Sequence, residues 1–136
     1  MGNADTVFKS CLISQDKGLL QIERIQDMLS KSYWAQKRTK GAIRKSIQNS
    51  ICYGVYIEKV QVGFARVITD YATTYYLCDV IIDEAYRGKG LGKELMNLIV
   101  HDTLLKPLLG ILATQDAHGL YEQYGFVKNG ERFMSR

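Results

Sequence analysis

The chain has 136 residues, of which 46% are hydrophobic and 24% charged, with a net charge of +4. That length suits one domain with a core of its own, and the composition excludes a disordered polar chain. No apolar run is long enough to cross a bilayer as a helix, and no signal peptide is recognisable. A single domain over 1–136 is therefore expected, with 1–7 a flexible tail, in the cytoplasm and without a membrane partner. The start, Met1 to Thr6, matches the loose myristoylation pattern, which is short enough to recur by chance.

Cys11, Cys52 and Cys78 form no CxxC pair and no zinc spacing with His101 or His118. Structural thiols in a reducing compartment, and no metal, are the expectation. The basic cluster Lys37, Arg38, Lys40, Arg44 and Lys45 fits a solvated helix face as well as a phosphate groove. No aromatic-basic motif accompanies it, so no nucleic-acid partner is expected.

In chain order, Phe8 to Ile13 has the apolar, β-prone character of a first strand. Asp16 can cap a helix, and Ile22, Ile25, Met28 and Leu29 recur at helical spacing. Thr39 can cap a second, short helix carrying Ile43 and Ile47. Cys52–Ile57 and Val62–Thr69 then read as strands about the tight connection Glu58–Gln61. Asp70–Thr73 is a turn, and Thr74–Ile82 a long aromatic and β-branched strand. Such short connections require antiparallel pairing. Leu91, Leu95, Leu98 and Ile99 form a helical stripe, followed after Pro107 by a strand over Leu108–Ala113. Strand, glycine turn, helix and strand make a right-handed βαβ unit. Asp116 to Tyr124 predicts a last helix with an acidic cap and Gly125 at its C′ position, and Phe126–Met134 predicts one or two closing strands. The class is α+β: a mixed, mostly antiparallel sheet flanked by helices, with one βαβ crossover.

Gly88, Gly90 and Gly92 stand where the long strand gives way to a helix, beside Arg87, Lys89 and Lys93. Glycine admits close backbone approach, and the first amides of a helix are unpaired donors at its positive end. A pyrophosphate suits that place. A P-loop is excluded because Glu94 follows Gly92-Lys93 and Arg87 holds the earlier glycine's position. A dinucleotide fingerprint is excluded because its third glycine slot holds Lys93. A lysine-rich flexible turn would account for the glycines alone, but not for their position opening a helix.

Tyr86-Arg87-Gly88-Lys89-Gly90-Leu91-Gly92-Lys93 resembles the acetyl-CoA loop of the GNAT acetyltransferase superfamily, Gln/Arg-x-x-Gly-x-Gly/Ala, with Arg87, Gly90 and Gly92 in its places. Leu120-Tyr121-Glu122-Gln123-Tyr124-Gly125-Phe126 is similar to the tyrosine-bearing helix of that family, which ends in Gly-Phe. The element order extends the resemblance over nearly the whole chain. It implies an N-acetyltransferase that moves the acetyl group of acetyl-CoA to a small-molecule or protein amine acceptor by direct attack. A non-catalytic acyl-CoA-binding module is the alternative.

By resemblance, main-chain groups of Val80, Ile81 and Ile82 would meet the pantetheine arm, and Gly88 to Lys93, Leu91 included, the pyrophosphate. Thr114 stands where many members carry asparagine against the same arm. Tyr121 matches the general acid, although an amphipathic tyrosine also suits a core. The base is open between His118, Asp79, Glu84 and a water relay; His118 can equally be a helix histidine, and Asp79 a buried partner for Arg66 or another cation. By resemblance Trp34 and Arg38, with Tyr33 alongside, fall where the family borders its acceptor cleft; a lone tryptophan there can equally be packing, and an arginine can bind an acceptor carboxylate. Free sheet edges make a homodimer an expectation as well.

Overall fold

In the computed structural model, residues 5–136 are described. Six strands form one sheet in sequence order: β1 (Thr6–Phe8), β2 (Cys11–Ser14), β3 (Ile51–Ile57), β4 (Val60–Thr69), β5 (Thr74–Ile82) and β6 (Leu109–Ile111). All neighbours are antiparallel except β5 and β6, which are parallel and joined by α3 (Leu91–Val100). The remaining helices are α1 (Ile22–Ser30), α2 (Lys40–Gln48) and the short α4 (His118–Glu122). The α+β class and the βαβ crossover are as the sequence predicts.

The two faces of the sheet carry separate apolar clusters. On one, Leu91, Leu95, Met96 and Ile99 of α3 pack against Val55, Val62, Val67, Tyr75 and Leu77. On the other, Ile25, Met28 and Leu29 of α1 and Ile43 and Ile47 of α2 pack against Cys52, Phe64 and Ile81. Each fully buried aliphatic side chain contributes about 1.5–3 kcal/mol. Met96 is fully buried whereas Leu98 is only partly so, which rotates the buried stripe of α3 from the predicted one. Thr39 caps α2 as expected, its hydroxyl accepting from the Ala42 amide at 3.1 Å.

Four details differ from the sequence prediction. The predicted first strand is a hairpin, in which Thr6 and Val7, assigned to the tail, pair with Ile13 and Leu12. Its turn, Lys9-Ser10, has positive φ at both residues, so no glycine signals it. Residues 1–4 of the expected tail, and with them most of the myristoylation pattern, lie outside the described residues. Asp16 caps only a 3₁₀ turn, Lys17–Leu19, and α1 starts beyond it.

The helix predicted from Asp116 begins at His118, and Asp116 is not its cap: Thr114 Oγ1 accepts from the Ala117 amide at 3.1 Å. No closing strand forms over 126–134. Lys128, Asn129, Gly130 and Glu131 interrupt any alternation, and the Arg132 amide turns back onto the Asn129 carbonyl at 3.1 Å.

Candidate active site

Past Tyr76, β5 has β4 on one side only, because β6 pairs solely along Thr74–Tyr76. The parallel strands part there, and Val80, Ile81 and Ile82 run along the opening. The segment after Ile82 is then fixed from several directions. The Asp83 amide donates to the Val62 carbonyl at 2.8 Å, and its carboxylate accepts from the Ala85 amide and from Arg24 Nη2 at 2.7 Å. The Ala85 amide and the Arg24 guanidinium hold the Asp83 carboxyl below its usual range. Arg87 Nε donates back to the Ile82 carbonyl at 3.0 Å.

Gly88 and Gly90 have φ of +80° and +83°. Gly90 is the N-cap of α3 and offers no side chain to its first amides, leaving those donors open to a ligand. A hollow of about 370 Å³ lies against them, between Ile82, Tyr86 and the loop on one side and Leu120 of α4 on the other. Arg87, Lys89 and Lys93 surround it or stand beside it with positive charge. A further cation, which periodicity could not find, comes from the hairpin turn: Lys9 Nζ donates to the Lys89 carbonyl at 3.3 Å, beside Gly90.

A β-bulge shapes the middle of β5. Phe64 pairs with Ile81 and Arg66 with Cys78, so Ala65 faces both Asp79 and Val80. Asp79 has φ +55°, in the left-handed region. The extra residue reverses the side-chain parity. Tyr75 and Leu77 point to the α3 face, whereas Ile81 belongs to the α1–α2 face. Asp79 thereby reaches the α1–α2 side and is buried, 4% exposed. Its carboxylate accepts from Trp34 Nε1 at 3.0 Å, Arg38 Nη1 at 2.6 Å and Arg66 Nε at 2.9 Å. Sequence reading offered Arg66 as a buried partner for Asp79, which the structure shows; the bulge brings Trp34 and Arg38 to the same carboxylate. Cys78, one residue earlier, is a thiol pushed up to about 11 by burial.

Across the opening, Tyr121 packs partly buried, with its ring edge-on to Phe126 at 6.2 Å. Gly125, φ +92°, ends the helix, and the Phe126 amide returns to the Tyr121 carbonyl at 3.3 Å. Tyr124 Oη donates to the Lys93 carbonyl at 3.0 Å and ties α4 to the loop helix. Burial pushes the Tyr121 hydroxyl up to about 12, with Tyr33 and then Asp116 adding to it. Tyr33 is the second residue that local reading undervalued. Its hydroxyl accepts from the Gln115 amide at 2.6 Å, linking the α1–α2 loop to the β6–α4 loop. His118 opens α4, three residues before Tyr121, and Glu84 sits exposed near the loop. A separate hollow of about 260 Å³, among Tyr53, Asn97, His101 and Asp102, lies at the other end of α3 and has no basic loop.

Residues 48–128 match the acetyltransferase (GNAT) domain family. Among solved structures, the GNAT-family protein xcc2953 of Xanthomonas campestris pv. campestris is 39% identical, with a TM-score of 0.88 over 93% of this chain and 92% of its own. A GNAT family acetyltransferase from Elizabethkingia anophelis, solved with acetyl-CoA bound, shares the fold with a TM-score of 0.67. That match has 16% identity and covers 88% of this chain and 78% of its own. Among curated relatives, the Gibberella zeae protein FG08082 is 31% identical over 108 residues, 65% of this chain and 61% of its own length. GCN5-related N-acetyltransferase 2, chloroplastic, of Arabidopsis thaliana is 32% identical over 76 residues, 54% of this chain and 30% of its own length. The chain thus spans less than two thirds of either curated relative. It belongs to the GNAT acetyltransferase superfamily. Among the described residues, no helix is long and apolar enough to cross a membrane.

Proposed function

We propose that the chain is an N-acetyltransferase that moves the acetyl group of acetyl-CoA directly to an amine. The observation that carries this is the junction of a left-handed glycine loop, a helix N-terminus and a strand whose partner has parted from it. The loop fits a pyrophosphate: φ of +80° and +83° frees the backbone to approach, and Arg87, Lys89, Lys93 and Lys9 supply charge. The opening beside Val80, Ile81 and Ile82 fits an extended polar arm, and Thr114 follows β6, the strand that parts from β5. When bound, acetyl-CoA supplies an activated thioester.

This chain's residues would do the rest. Gly88 to Lys93 hold the anion, and a main-chain donor near Val80 polarises the thioester carbonyl. In the overall exchange the amine nitrogen replaces sulfur at the acetyl carbon. The amine loses a proton, and the sulfur gains one. Tyr121 is the donor to sulfur; with its hydroxyl at about 12 it is still protonated at about pH 10.4, where a lysine-like amine loses its proton. Asp79 is poorly suited to take the amine's proton, since its carboxylate already accepts from three donors. His118, at the start of the helix that carries Tyr121, or a water relay, is left for that task.

Two measurements test the reading. Acetyl-CoA should raise the melting temperature, and a panel of amines should release free coenzyme A thiol. Tyr121→Phe should then lower kcat by about 100-fold or more with KM for acetyl-CoA unchanged. If acetyl-CoA binds but no amine is consumed, the chain is a binding module. If acetyl-CoA does not bind, the loop assignment is wrong.

A further inference from the structure

We infer that the amine acceptor carries a carboxylate, held by the outward edge of Arg38 beside Trp34; this rests on the transferase reading above. The starting point is a charge imbalance. Asp79 is one carboxylate set against two guanidiniums, Arg38 and Arg66, at 2.6 and 2.9 Å. One positive charge is left over. Lys40, the nearest basic residue of α2 to carry a partner, is balanced by Glu23 at 3.1 Å and takes no part.

The two arginines are not equivalent. Arg66 is sealed in, its side chain 11% exposed, with Nη1 on Ser50 Oγ at 3.0 Å. Arg38 is at the mouth, 25% exposed, and only its Nη1 is engaged; among the described residues the rest of its fork meets no protein acceptor. A purely structural ion pair requires neither a surplus charge nor a presented edge. Asp79 holds the guanidinium through Nη1, and the edge left open can take a planar carboxylate. The surplus matches a carboxylate's single charge better than a phosphate monoester's two.

The wall beside this edge is aromatic, and each ring is tethered. Trp34 is held by its own bond to Asp79, and Tyr33 stacks edge-on against it at 5.0 Å. Tyr33 in turn is fixed by the Gln115 amide and acts electrostatically on Tyr121. Contacts therefore run from Arg38 through Asp79 and Trp34 to Tyr33, which lies within electrostatic reach of Tyr121. An acceptor with its carboxylate at Arg38 and its stem along the two rings presents its amine towards Tyr121.

The test compares ω-amino acids of increasing length with their matched primary amides, with rates expressed per free amine. Wild type should prefer the acid by about 10- to 100-fold in kcat/KM at the best length, the range for a charged hydrogen-bonded contact. Arg38→Gln should bring the pair within about threefold, and Arg38→Lys should fall between, with the acetyl-CoA thermal shift unchanged. In wild type alone, butanoate should compete with the acceptor while butanamide does not, which needs no variant to fold. Equal rates for acid and amide, or a preference that survives Arg38→Gln, overturn the carboxylate site and leave the transferase intact. Absence of turnover with every amine overturns both, and the acetyl-CoA shift then tells whether cofactor binding fails too.

Discussion

Asp79→Asn separates an anchoring role for Asp79 from a catalytic one. The carboxylate is 4% exposed and accepts from Trp34 Nε1, Arg38 Nη1 and Arg66 Nε at 3.0, 2.6 and 2.9 Å. Asparagine keeps the volume and tolerates φ +55° as readily as aspartate, so the change isolates the charge. It leaves Arg66 without its counter-charge and turns an amide N–H towards one guanidinium. Breaking a buried pair costs about 3–5 kcal/mol, and Arg38, nearer the surface, can recover some solvation, so about 3 kcal/mol is expected. With unfolding entropy scaled to this chain length, that is a fall of about 10 °C in Tm. Asp79→Ala should cost a further 1 kcal/mol or more, roughly the left-handed penalty, because alanine lacks aspartate's tolerance of that region. Urea unfolding should show the midpoint falling with an unchanged slope. A stability within about 0.5 kcal/mol of wild type, together with a loss of about 100-fold in turnover, would refute the anchor and make Asp79 the base.

Three further outcomes follow from the same geometry. Lys9→Ala removes a cation from the glycine loop and should raise KM for acetyl-CoA by about two- to fivefold, an effect that fades at high salt; Tm should hardly move. Glu58-Lys59 turns the β3–β4 hairpin with φ of +48° and +69°, so Lys59→Gly should stabilise by about 1 kcal/mol, seen as a higher urea midpoint. Burial pushes the hydroxyls of Tyr53 and Tyr56 up, and that of Tyr121 to about 12, against about 10 in the unfolded chain. Because these folded values are raised, their contribution is whole below pH 10 and is lost as pH climbs through 12 and beyond. Unfolding free energy should fall above pH 10, and tyrosinate absorbance should appear later in native than in denatured protein. A native titration in which every tyrosine ionises near pH 10 would contradict the burial.

Local sequence determined what depends on near neighbours. The stripes of α1 and α2, three of the four stripe residues of α3, the Thr39 cap, the meander and the span of β5 all rest on periodicity or on contacts within one turn. The glycine loop was legible for the same reason, since positive φ and a helix start lie within a few residues. The end of the helix that carries Tyr121 was legible through Gly125-Phe126.

Tertiary structure alone decided the rest. No local pattern marks the extra residue at Asp79, because a bulge is defined by the partner strand opposite it. That residue turns Asp79 from the α3 face to the α1–α2 face and so assembles side chains from positions 34, 38, 66 and 79 around one charge. Lys9 reaches the loop only because the hairpin folds beside it, 80 residues away in sequence. Residues 126–134 have strand-forming side chains only at their two ends, and a strand exists only where an edge and an alternating face meet it. Propensity is a property of the segment, whereas pairing, charge balance and cleft shape are properties of what the fold brings against it.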